Sequence, residues 1–229
     1  RAAHVRSPHV LPILEVPANG EALCFVTARA PIESLATRLD GARGRQRQLP
    51  LAEVLAIARG LAAALADAHA HGVCHGDLRP RHVRLVGTEV LLTRLGLAGA
   101  LHAAQRPDGG DAADHPPSTI VALGSPAYLS PEQLIGDVAV DAASDVYAFG
   151  TIVYEMLAGE PPFGRTARGG ALGRKLTQAA PPVTERRDGV PEPLAALVHA
   201  CLARAPVDRP AGGAALPAWL NQVVAAPAG

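Results

Sequence analysis

His75-Gly76-Asp77-Leu78-Arg79-Pro80-Arg81-His82-Val83 is the stretch on which the fold of this chain turns. Before it, Leu51 to His71 carries the strongest helical signal: Leu51, Leu55, Ala58, Leu61 (or Ala62) and Leu65 share one face, and Pro50 sits at the start. The charged Glu53, Arg59 and Asp67 punctuate that helix and rule out a lipid span, and Gly72 ends it. After the stretch come two strands, Val83 to Val86 and Val90 to Thr93, joined by Gly87-Thr88. Past the strand-like Glu89-Val90-Leu91-Leu92 the chain runs Arg94-Leu95-Gly96.

Farther out, apolar runs at Pro8 to Val16 and Ala22 to Thr27 flank Pro17-Ala18-Asn19-Gly20, which predicts a hairpin. Ala28 to Pro31 reads as a connector, Ile32 to Leu39 as a short helix, and the Gly/Arg/Gln-containing Asp40 to Gln48 as a loop. Pro107 to Ser118 is rich in Pro, Gly and Asp and reads as another loop. Ser144 to Ala158 is apolar on most sides, the pattern of a helix at the centre of a domain. Turn-rich Gly159 to Gly173 follows, then two amphipathic helices at Pro193 to Ala203 and Leu216 to Val224. No internal repeat is visible. A small strand-bearing segment therefore precedes a mainly helical domain.

The chain has 229 residues, 48% of them hydrophobic, and no net charge, which favours a soluble globular protein over an electrostatic nucleic-acid binder. Lys175 is the one lysine among 21 lysine and arginine residues, read as a coding bias rather than a functional preference for arginine. Cys24, Cys74 and Cys201 are odd in number and widely spaced, so no disulfide framework is indicated and a reducing cytoplasm fits. No apolar run reaches the length of a membrane span, and no signal peptide opens the chain. It begins at Arg1 rather than Met, so the expectation is a piece of something longer. Its location is then the cytoplasm, or the cytoplasmic part of a membrane-tethered parent.

The quoted stretch resembles the protein-kinase catalytic loop H-R-D-L-K-P-x-N-V. Gly124-Ser125-Pro126-Ala127-Tyr128-Leu129-Ser130-Pro131-Glu132-Gln133 is similar to the G-T-P-x-Y-M-A-P-E that closes the activation segment of bacterial eukaryotic-like serine/threonine kinases. Asp145-Val146-Tyr147-Ala148-Phe149-Gly150 is similar to the D-x-Y-S-x-G opening of that family's central helix, and Cys201 to Pro210 resembles its D-P-x-x-R-P. Four segments in family order, covering about residues 8 to 222, imply an α+β protein-kinase-like fold. Residues 1–30 are then the last strands and hinge of an N-lobe, 31–224 a mainly helical C-lobe, and 225–229 a tail.

The resemblance assigns roles by position. Asp77 stands where the family has its base-like acid, Arg79 replaces the phosphate-contacting Lys, His82 the metal-binding Asn, and Arg94 the metal-binding Asp of D-F-G. His75 is a packing residue, Asp145 receives loop amides, and Glu132 pairs with Arg209 inside the fold. Gly76 replaces the Arg that receives an activation-loop phosphate. Thr27 at the hinge, His82 and Arg94 are the nucleotide contacts implied. At an effective dielectric near 20, unit charges ~4 Å apart interact by about 4 kcal/mol, so a guanidinium at 94 repels the dication a carboxylate would hold. Imidazole is a poor magnesium ligand. No G-x-G-x-x-G or strand lysine occurs in the first sixty residues, and Lys175 lies too far downstream to act as that lysine. The expectation is a pseudokinase: a regulatory or binding module with ATP as its nucleotide, no metal site, no magnesium dependence and a protein partner. The competing expectation is an active serine/threonine kinase with its missing N-lobe parts upstream.

Other chemistry weighs less. His69, His71, Cys74 and His75 offer four zinc ligands, but two of them, two apart on a helix, point in different directions. Ser125, Ser130 and Thr119 are candidate phosphorylation sites, with the Ser125 hydroxyl expected on Asp77. Cys74-His75 lacks an orienting third group for nucleophilic catalysis.

Overall fold

The computed structural model describes residues 1–15, 26–104, 125–136, 141–165 and 170–225, with the side chains of 101–104, 224 and 225 excepted. The Asn19-Gly20 turn, the Pro107–Ser118 loop and Thr119 lie outside the described residues.

Eight α-helices are described: α1 (Leu35–Gly44), α2 (Leu51–Ala70), α3 (Leu97–Ala104), α4 (Pro131–Ile135), α5 (Ala142–Ala158), α6 (Ala171–Thr177), α7 (Glu192–Cys201) and α8 (Leu216–Ala225). Every residue of α5 from Ser144 to Leu157 is buried. A helix apolar on all sides is stable only with neighbours on all sides, and α2 and α7 pack against it. Contact with α7 is close because residue 150 is glycine: an added Cβ there would stand 2.6 Å from Cys201 Cβ. Asp141 caps α5 by accepting the Ser144 amide at 2.8 Å, and left-handed Gly159 (φ 85°) ends it.

On α2 the buried face is Val54, Ile57, Ala58, Leu61, Leu65 and Ala68. The sequence places Leu51 and Leu55 on that face, yet both are only partly buried, because α2 is packed on several sides at once, by α5, α8 and the strand Glu89–Leu92. α1 begins where Ser34 accepts the Thr37 amide at 3.2 Å. It runs through Gly44, so Asp40 to Gly44 is helix and not the loop that its composition predicts. Tertiary contacts explain the extension: Arg43 donates to the Gly159 carbonyl at 3.0 Å and to Glu155 at 3.2 Å, fixing the last turn.

The strands form two antiparallel pairs. β1 (Ile13–Glu15) pairs with β2 (Val26–Thr27), and β3 (Val83–Val86) with β4 (Glu89–Leu92) in the register Val83↔Leu92 to Val86↔Glu89. The N-terminal segment adds a parallel bridge from Val10 to Leu92. The architecture is α+β and mainly helical, with its small sheets toward the N-terminal end. No helix among the described residues is long and apolar enough to cross a membrane.

Candidate active site

The loop from His75 to His82 leaves the end of α2 and enters β3, and its shape is set from below by α5. Asp145, in the first turn of α5 and 1% exposed, accepts the His75 amide at 2.7 Å, the Gly76 amide at 2.8 Å and the His69 ring at 2.9 Å. A buried carboxylate needs such donors to hold its charge away from water. Gly76 sits at φ 74°, the left-handed region that glycine enters without steric cost. Its carbonyl accepts from the Gln133 side chain at 3.0 Å, a tie between the loop and α4 that no motif announces.

His75 is buried, its Nδ1 accepting the Asp77 amide at 3.2 Å and its Nε2 donating to the Thr93 carbonyl at 2.9 Å. Both nitrogens are committed to the neutral ring, and burial holds its pKa below the usual histidine value. Its ring stacks on that of His82, with centroids 5.6 Å apart.

Asp77 is the one acid of the loop, and Arg79 pairs with it. The Arg79 Nε donates to Asp77 Oδ1 at 2.5 Å, and its Nη2 donates to the same oxygen. Arg79 is 3% exposed; burial pulls its pKa down while Asp77 opposes the shift. His82 Nδ1 donates to the Asp77 carbonyl at 2.8 Å. His82 Nε2 accepts from Arg81 Nε at 3.1 Å and from Arg94 Nη1 at 3.3 Å. A ring nitrogen that accepts from two guanidiniums carries no proton, so His82 is neutral. Burial first, then His75, push its pKa down to about 2.

Arg94 is exposed and holds φ 63°. That left-handed conformation is taken more readily by Asp and Asn than by Arg. The backbone at this position is therefore shaped for a short polar side chain, although the residue is arginine.

Away from the loop, Arg209 forms a two-pronged pair with Glu132, Nη1 to Oε1 at 2.6 Å and Nη2 to Oε2 at 2.8 Å. Burial works to raise the Glu132 carboxyl, but Arg209, its own amide and Ser130 outweigh burial and leave it lowered. Glu155, near the other end of α5 and fully buried, accepts the Tyr128 hydroxyl at 2.6 Å and is also paired with Arg165. Neither Lys175 nor the Tyr128–Glu155 pair was signalled by spacing or motif.

Two sequence expectations fail here. Ser125 does not bond Asp77; its hydroxyl donates to the Arg165 carbonyl at 3.4 Å. The four suggested zinc ligands do not converge: His71 bonds the Asp67 carbonyl and His75 the Thr93 carbonyl. Among the described residues, His69, Cys74 and Asp145 do place ligand atoms within 4.8 Å of one another. However, His69 donates to Asp145 and accepts the Gly213 amide at 2.7 Å, so its ring is spent, and burial pushes the Cys74 thiol up to about 12. Thr27 lies exposed on β2 with its hydroxyl on the Ala28 carbonyl, and no described contact joins it to His82 or Arg94.

A family model for the protein kinase domain matches residues 2–222. Serine/threonine-protein kinase PkaB of Streptomyces coelicolor is 36% identical over 206 residues, spanning 88% of this chain and 46% of that protein. PknL of Mycobacterium tuberculosis is 35% identical over 176 residues, 76% of this chain and 41% of its own length. The DNA damage-responsive kinase RqkA of Deinococcus radiodurans is 32% identical over 220 residues, 93% of this chain and 30% of its own length. The chain thus spans less than half the length of these curated relatives. Among solved structures, the PknI kinase domain of M. tuberculosis superposes with a TM-score of 0.69 at 24% identity, over 97% of this chain and 74% of that one, a likeness of fold.

Proposed function

The chain belongs to the protein kinase domain family, and from that premise we propose that it is a catalytically impaired, regulatory or binding member of it. The observation that carries this reading is the contact between Arg94 and His82. At the two positions read as metal ligands, one side chain has no lone pair and the other directs its accepting nitrogen at two guanidiniums. These residues do not fit a magnesium ion, which takes hard oxygen ligands. Arg94 is exposed, so its repulsion of a dication is nearer ~1 kcal/mol per unit charge at ~4 Å than the larger value of a drier site. The missing donors count for more than the repulsion.

The same charge suits an anion. Arg81 and Arg94 converge on a neutral His82 beside the Asp77–Arg79 pair, a patch with net positive charge. Phosphate oxygens match guanidinium donors directly, and ATP is the nucleotide we assign. The partner in signalling is a protein, and the setting cytoplasmic.

The test is nucleotide-induced thermal stabilisation of this chain, and of a longer protein carrying a complete N-lobe, in magnesium and in EDTA. Equal or larger stabilisation in EDTA is expected, with no transfer of the ATP γ-phosphate. Magnesium-dependent transfer would overturn the proposal in favour of the second reading, an active serine/threonine kinase. That reading is favoured by Asp77, which keeps a partly exposed carboxylate at the loop, and by the likeness to PkaB. Its signature is transfer abolished by Asp77→Asn.

A further inference from the structure

The one lysine among 21 lysine and arginine residues is not on the surface. Lys175 lies on α6, 2% exposed. Its Nζ donates to the carbonyls of Ala127 at 2.6 Å, Leu129 at 2.7 Å and Pro126 at 3.1 Å, and stands 5.2 Å from the centre of the Tyr147 ring. An ammonium carries three N–H donors on a compact tetrahedral head, and here three carbonyls receive them. A planar guanidinium fork is matched to two coplanar acceptors such as a carboxylate and cannot reproduce that cradle. Lysine therefore appears where the shape of the acceptor set demands it.

The cradled carbonyls belong to a segment that leads directly into the site. Ser130 follows, and its hydroxyl and amide form a reciprocal cap with Gln133 at the start of α4. Gln133 in turn donates to the Gly76 carbonyl. Tyr128 and Leu129 face Gly76, Asp77 and Arg79 across one small cavity.

We infer that Lys175 is a positioning residue: its ammonium fixes the Pro126–Leu129 backbone as a wall facing Asp77, and arginine cannot replace it. Among the described residues, Glu132 from α4 and Tyr147 from α5 face it, while Arg209 neutralises Glu132 and lies 5.0 Å from the centre of the Tyr147 ring. Burial pulls the Lys175 pKa down to about 7, while Glu132 opposes the fall. Below that value three N–H groups hold three carbonyls. Above it one is lost, and the wall slackens as pH rises through neutrality. The pin works whether or not Asp77 turns over phosphate.

Because the chain has a single lysine, lysine labelled at Cε and Nζ gives one side-chain NMR signal from the intact chain. Its titration midpoint is expected near 7 rather than at the ordinary 10.5. Amide exchange at Ser130, Gln133 and Leu134, all bonded within the cap, supplies the second readout. Lys175→Met should speed it by roughly tenfold, the equivalent of one or two hydrogen bonds, while α5 keeps its protection. Lys175→Arg should be as fast as Lys175→Met. In the wild type, exchange corrected for its intrinsic pH dependence should quicken between about pH 6 and pH 8.5, and in Lys175→Met it should not. A midpoint at the ordinary lysine value overturns the pH dependence, and wild-type protection in either variant overturns the pin itself. If neither variant folds, the labelled wild type decides alone: Nζ protons that exchange with water as fast as those of free lysine overturn the pin.

Discussion

Removing Arg209 should cost more than any surface change. Its side chain has no exposure, and it makes five bonds: two to Glu132, and one each to the carbonyls of Ala203 (2.8 Å), Ala143 (3.0 Å) and Arg204 (2.9 Å). Arg209→Met keeps an apolar stem of similar length but strands Glu132, which is 10% exposed and retains only the Ser144 hydroxyl and local contacts. Leaving one member of a buried pair without its partner costs on the order of 3–5 kcal/mol. With a urea slope of roughly 2–3 kcal/mol/M, the midpoint should fall by about 1.5 M. Glu132→Gln in the Arg209→Met background removes the stranded charge and should restore part of the loss, so the double variant should unfold at higher urea than Arg209→Met alone. The pair also sets an acid limit. The folded carboxyl is held below its unfolded value of 4.5, so its contribution is present above that pH and disappears as pH falls through the lower folded value. A loss under about 1 kcal/mol for Arg209→Met, the range of an exposed pair, would refute this account. So would a double variant weaker than the single.

Two more predictions address the loop. Arg94→Asp suits the left-handed backbone better than arginine does; under the proposed function it should add a magnesium-dependent component to nucleotide stabilisation, read by thermal shift with and without EDTA against the wild type. His82 binds its proton only near pH 2 when folded but near 6.5 when unfolded, so between those values the unfolded chain holds the extra proton and stability rises with pH. His82→Asn should flatten that rise by up to about 1.4 kcal/mol per pH unit, the weight of one proton, measured by urea unfolding between roughly pH 4.5 and pH 6.5.

Much of the frame was legible because local pattern and tertiary need agree there. The all-round apolar Ser144–Leu157 could only be central, and the two short strand runs around Gly87-Thr88 could only pair. Legibility ended where a partner distant in sequence decides the outcome. Asp40 to Gly44 has loop composition, and Arg43 is held helical by Gly159 and Glu155, more than a hundred residues away. Ser125 on Asp77 is what the resemblance implies, and nothing in the sequence shows that Arg79 folds back onto that carboxylate. Nothing in the sequence points to Lys175, since a cradle of main-chain carbonyls has no side-chain signature at all.

Asp145 grips the His75–Gly76 turn by amide hydrogens, not by the groups that project from it. A turn clasped that way is indifferent to what it displays. The neighbouring positions 79, 82 and 94 become interchangeable fittings on a fixed mount, so a domain can surrender one chemistry, or be refitted with another, while its skeleton stays put.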